Sequence, residues 1–222
     1  MEKTGRLLRG VATIAAILAL TCSLGAAAQG AEESFVKAQA TFERGLRGSE
    51  SDNEAAAEQF RRLTETDTGN PLYLAYYGST FAVKARDAWL PWKKLKLGEQ
   101  GLDLIDKALK RLTPEHDKLV LRQVPLGIET RLVAINTFFQ VPDRFFHRYE
   151  SGKTLLAETM TNPAFALSPP RIQARFHSQT ALVAQKEGRK ADEAAQLKRV
   201  LELDPQTPDA AQLHTRLKEL GA

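Results

Sequence analysis

From Gly30 to the C-terminus, almost every stretch of this chain repeats its apolar side chains with the period of a helix. No run alternates apolar and polar residues for long enough to make a strand. That feature confines the fold to packed helices. The stretches are separated by prolines and capping residues rather than by long loops. Ala56, Phe60 and Leu63 share one face of a helix that Ser51 and Glu54 open as a capping box and Gly69 closes. Asn70 and Pro71 then read as the cap and first residue of the next helix, whose buried stripe is Leu74, Gly78, Phe81 and Ala82. Thr113-Pro114, Ser168-Pro169 and Thr207-Pro208 repeat the start signal. Helices are expected over Glu33–Gly45, Asp52–Glu65, Pro71–Arg86, Gly98–Leu112, Pro114–Gln123, Ile128–Gln140, Lys153–Met160, Pro170–Lys186, Ala191–Leu203 and Pro208–Leu220.

The first 28 residues follow other rules. Lys3, Arg6 and Arg9 precede an apolar run from Val11 to Leu20, and the small residues Gly25-Ala26-Ala27-Ala28 follow. This is the layout of a secretory signal peptide cleaved after Ala28 or Gly30. The run falls short of the about 20 residues a membrane span needs, although an uncleaved anchor is the other reading. Cys22, the only cysteine, lacks a leucine three positions upstream, so lipoprotein processing fits poorly. Cleavage would leave a chain without cysteine, stabilised by packing alone. The segment holds three bases and one acid, +2 of the chain's formal +4, so the remainder carries only +2. Basicity on that scale gives little support for nucleic-acid binding. One domain, 31–222, is expected after the leader, exported to the periplasm or beyond.

Helices paired across short turns invite a search for a fixed period. Lys37–Asn70 forms a 34-residue unit with Ala56, Phe60 and Leu63 spaced along its second helix, and Gly78 and Phe81 open the next. Near the C-terminus, Gly188 sits in a turn, Ala194, Leu197 and Val200 stripe a helix, and Leu201-Glu202-Leu203-Asp204-Pro205 closes it. These segments, clearest at 37–108 and 171–220, resemble the tetratricopeptide repeat family, in which small residues let paired helices touch. The departures are Arg44 where the family has a small residue, an alanine at 194 that arrives one residue late, and a loose match over 114–167. The second unit's stripe of Gly101, Ile105 and Ala108 falls about eleven residues later than the period requires, which reads as an insertion at 86–97. The resemblance implies an all-α, TPR-like α-α superhelix with one insertion and a capping helix from Pro208 to Leu220. It also implies a role in holding proteins.

The family's inner face would comprise Leu72, Ala75, Ser79, Ala82 and Val83 in the second unit. These residues are small and apolar, with no basic clamp for a carboxylate, which suits an apolar partner or coverage by the chain's own helices. The insertion sets Trp89 and Trp92 beside Lys93, Lys94 and Lys96. Such a cluster serves as a protein hot spot or sits at lipid headgroups. The expectation, however, is that the two rings plug the widened gap while the lysines face water. A second aromatic group, Phe138, Phe139, Phe145, Phe146 and Tyr149, is read as core rather than as a peptide groove.

Catalytic signals are weak. His116, His147, His177 and His214 form no metal-ligand spacing. No nucleophile elbow is present. Ser151-Gly152-Lys153-Thr154 resembles the end of a phosphate-binding loop, but the earlier glycine is replaced by His147. The acids Asp103 and Asp106 read as a solvated helix face. The expectation is a scaffold without metal, cofactor or nucleic acid, partnered with another envelope protein or peptide segment. An accessory subunit of a membrane transport or assembly complex is the alternative, and a hydrolase with an unrecognised site a third class.

Overall fold

The computed structural model describes residues 29–222; the leader reading lies outside them. The described chain is all-helical, with eleven helices and almost no strand. Helix α1 covers 29–46, α2 Glu50–Thr66, α3 Pro71–Asp87 and α4 Pro91–Lys110. A 3-10 turn, Pro114–Asp117, leads into a small hairpin of β1, Val120–Leu121, and β2, Val124–Pro125. Then follow α5 (Leu126–Gln140), α6 (Asp143–Phe146), α7 (Tyr149–Thr161), α8 (Pro163–Ala166), α9 (Pro170–Lys186), α10 (Lys190–Leu203) and α11 (Ala210–Glu219).

Side-chain caps open α2, α3 and α8, while α4 and α9 start on a proline without one. Asn70 accepts from the backbone N–H groups of Leu72 and Tyr73, with Pro71 in the first position where its missing N–H is harmless. The cap of α2 is Ser49, whose hydroxyl accepts from the Asp52 N–H, not Ser51; the serine two residues earlier has the extended backbone a cap requires. Before α9 the cap position is Pro169, while Ser168 bonds back to the Ala164 carbonyl. The last helix begins at Ala210, two residues after Pro208.

Helices pack in pairs, α1 with α2, α3 with α4, α5 with α7 and α9 with α10, and α2 and α5 also pack closely on α3. The α3–α4 pair meets backbone to backbone. A methyl group on Gly78 would lie 2.8 Å from the Gly101 carbonyl oxygen, and one on Gly101 would lie 2.7 Å from that of Gly78. No other residue type permits this approach. The third pair also closes on a glycine, Gly152 of α7, which abuts the ring of Phe139.

The expected insertion at 86–97 is not a loop. Only Ala88–Leu90 separate the two helices, and α4 runs unbroken from Pro91. Trp89 lies eleven residues after Gly78 and twelve before Gly101. The additional residues therefore lengthen both arms of the hairpin, by about 8 Å each at 1.5 Å per residue.

The core forms three clusters in series. Phe35, Phe42, Phe60, Tyr73 and Tyr76 anchor the first, with Phe60 and Tyr76 stacked at 4.9 Å. The second lies under α5, α7 and α9, and the third is a small apolar group at the C-terminus. Helix α3 is buried on nearly all sides, because α1, α2, α4 and α5 surround it.

The expected helix over Pro114–Gln123 is absent. In its place the hairpin pairs Leu121 with Val124, and its turn residues Arg122 and Gln123 sit at φ 50° and 66°. A two-residue turn of this hand ordinarily takes Asn-Gly. Here the strained conformation delivers the Arg122 guanidinium to the buried Glu129 and onto the ring of Phe35.

Candidate functional site

The structure buries one of the two groups of residues singled out in the sequence, exposes the other, and brings them together only where Ala82, Val83 and Lys94 line one groove. Leu72, Ala75, Ser79, Ala82 and Val83 are all buried. Helix α5 lies against this face of α3, and the Ser79 and Thr137 hydroxyls meet at 2.6 Å. Leu72, Ala75 and Ser79 lie under the chain's own neighbouring helices, while Ala82 and Val83, though buried, reach the floor of a groove beside the α3–α4 turn. Toward the start of α3 the cover is polar. Tyr76 donates to Glu129 at 2.9 Å, Gln39 donates to Tyr76 at 2.7 Å, and Arg122 clamps both Glu129 oxygens at 2.7 and 2.9 Å. Burial, then the charge of Glu129, pushes the Tyr76 hydroxyl well above its ordinary pKa.

Trp89 and Trp92 do not plug a gap. They are 92% and 68% exposed, the former at the hairpin tip and the latter in the first turn of α4. The reason is the lengthened hairpin: the helices cross at Gly78 and Gly101, so the tryptophans stand about three turns beyond the crossing. Lys93, Lys94 and Lys96 are exposed beside them. Lys94 donates to the Arg86 carbonyl at 3.1 Å, and Arg86 reaches the Leu46 and Gly45 carbonyls at the end of α1. Two cations thus satisfy helix C-termini at this end of the bundle. Arg86 holds the Asp87 carboxyl below its usual range.

Between the hairpin tip and the corner that joins α5 to α6 lies a groove of about 770 Å³. Leu46, Ala82, Val83, Ala85, Pro91 and Leu95 form one wall and floor, and Val141, Pro142, Phe145 and Phe146 form the other. Arg86, Lys94 and Arg144 stand among the lining residues as its cations. The volume is that of an ordinary ligand or peptide pocket. An apolar trough with a basic rim suits an apolar segment or chain that carries negative charge.

The second aromatic group divides. Phe138 and Phe139 are core, as expected, and Tyr149 is half-buried against Phe139. Phe145, however, is 52% exposed with Arg144 over its ring, and Phe146 lines the groove. The signal for this split was present in Pro142, which ends α5 and turns the chain so that Phe145 leaves the core while Phe146 packs on its edge against Gly98 of α4.

The remaining candidates take structural places. Ser151-Gly152-Lys153-Thr154 lies inside α7, with Gly152 against Phe139 and Lys153 paired to Glu150 and Glu187. Asp106 pairs with Arg148 at 2.5 Å, so it is not simply a solvated face. The four histidines fall on or beside different elements, with His116 capping the 3-10 turn through Thr113 and His177 bonded to Gln196. Among the described residues no cluster of histidine, cysteine or acids could hold a metal ion, and no helix is long and apolar enough to cross a membrane.

What the fold and the groove define is a chain of packed helix pairs with an open apolar trough at the α3–α4 turn. No protein-family model, curated protein or solved structure matches the sequence.

Proposed function

We propose that this chain is an exported, TPR-like helical scaffold that holds a segment of another envelope protein in the groove beside the α3–α4 turn. The observation that carries the reading is the groove itself, an apolar trough of about 770 Å³ with cations on its rim. The pairing of α1 with α2, α3 with α4, α5 with α7 and α9 with α10 supports a tetratricopeptide-like superhelix, with α11 as its cap. In such arrays small residues at the helix crossing allow close contact, and Gly78 with Gly101 supplies that feature. The basic and apolar opening of residues 1–28 supports export. A binding role suits a chain whose histidines are dispersed. The docking place in this reading is the groove, since α5 covers the face of α3 that the repeat family leaves open.

Crosslinking from the native envelope, followed by capture of the chain, tests the proposal. Leu95→Asp combined with Phe145→Asp places two charges in the groove wall at partly exposed positions, so the fold survives. A specific crosslinked partner that disappears in this variant is the expected result. A partner retained at wild-type yield would sink the groove as the docking place.

A further inference from the structure

We propose that the tip of the α3–α4 hairpin seats the protein on an anionic phospholipid surface, with Trp89 and Trp92 entering the headgroup layer and the flanking lysines pairing with lipid phosphates. This goes beyond the scaffold reading and stands without it. The first observation is exposure. The indole of Trp89 is 92% exposed and that of Trp92 68%, with Leu90 and Leu95 also partly open beside them. A protein hot spot places its aromatic in a packed, concave setting. A free-standing ring at the end of a helical arm instead has the form of an interfacial anchor.

The second observation is charge. Residues 84–96 contain five cations and one acid, and that acid, Asp87, is paired with Arg86. The segment is net +4, whereas residues 29–222 together carry +2, so everything outside it is net −2. The net positive charge of the described chain therefore sits at one tip. Facing it from α6 are Arg144, which adds to the field, and Asp143, whose carboxylate accepts from the Tyr149 N–H. Further along α4 the next acid is Glu99. The third observation is residue type. Lysine is depleted in protein–protein interfaces, while lysine clusters beside apolar anchors are what anionic lipid attracts.

Trp89 and Trp92 are the only tryptophans in the chain, so indole fluorescence reads this tip alone. The full chain is titrated with vesicles of phosphatidylcholine and with vesicles of equal parts phosphatidylcholine and phosphatidylglycerol. The expected result is a blue shift with the mixed vesicles only, reversed as salt rises from about 0.01 to 1 M. Changing Lys93, Lys94 and Lys96 to Gln weakens the shift roughly a hundredfold in lipid concentration. Sedimentation with vesicles falls in Trp89→Ala with Trp92→Ala, whose fold is checked by circular dichroism. Equal shifts with neutral vesicles, or a shift indifferent to the lysines, would mean that another part of the chain binds lipid and would overturn the proposal. An emission unmoved by vesicles but shifted by a captured partner would assign the tip to protein instead. Failure of the crosslinking experiment leaves this readout unaffected.

Discussion

Arg122 closes a two-point ion pair on Glu129, a residue only 1% exposed, from a hairpin turn whose backbone is in the left-handed region. The pair binds the hairpin, through Gln39 and Tyr76, to α1 and α3. A buried carboxylate stripped of its cation is expensive, whereas an apolar replacement of both partners is not. Arg122→Ala is expected to lower stability by about 3–5 kcal/mol in urea denaturation, and Arg122→Met with Glu129→Leu to recover most of that loss. A single variant that loses less than about 1 kcal/mol would show the pair to be no stronger than a surface bridge.

The glycine crossing makes an opposite-sign test. Alanine ordinarily favours a helix over glycine by about 1 kcal/mol, so in the uncleaved chain Gly30→Ala, which meets nothing within 4 Å among the described residues, should be neutral or stabilising. Gly78→Ala and Gly101→Ala each drive a methyl group against the opposite backbone. They are expected to destabilise by about 1–3 kcal/mol despite the helix preference. Thermal unfolding of the three variants side by side gives the answer.

The exposed tryptophans should contribute nothing to folding. Trp89→Ala with Trp92→Ala is expected to shift unfolding free energy by less than about 0.5 kcal/mol. Phe60→Ala, at the centre of the aromatic cluster, should cost about 3–5 kcal/mol. Similar losses for both would mean that the tip packs against something in the folded molecule.

Glu58 offers a pH marker on the surface of α2. Its hydrogen bonds from Arg61 and then Arg62 lower its pKa from 4.5 to about 2. A depressed carboxylate stabilises the fold above its unfolded value, and that contribution is lost as pH falls from 4.5 toward about 2. An NMR titration should place the Glu58 midpoint near 2 at low salt, and Arg61→Ala with Arg62→Ala should return it toward 4.5. Added salt should also raise it, since the group is exposed.

Period and capping chemistry made most helices readable in the sequence. Asn70-Pro71 opens α3 where expected, and Ala56, Phe60 and Leu63 all point into the core. The hairpin at Val120–Pro125 was illegible because its turn has neither Asn nor Gly. It is held by an ion pair to a residue in the following helix, a contact that local patterning does not encode. The groove was half legible. Pro142 and the clustered aromatics marked the corner, and the Trp–Lys stretch marked the opposite wall. Their meeting depends on how far the hairpin arms extend beyond Gly78 and Gly101, and a late-arriving stripe reads equally well as a loop insertion.

The three apolar clusters follow one another along the chain, and the last, around Ala181, Ala194, Leu197 and Leu217, is much the smallest. In a series arrangement each link is held chiefly by its neighbours. Fraying should therefore begin at α11 and pass inward through α10, with amide protons there exchanging while those of α3 remain locked. A protease acting on the native protein would find its first foothold in the turn between Leu203 and Ala210, and the trimmed molecule would keep the aromatic centre, the groove and the tryptophan tip intact.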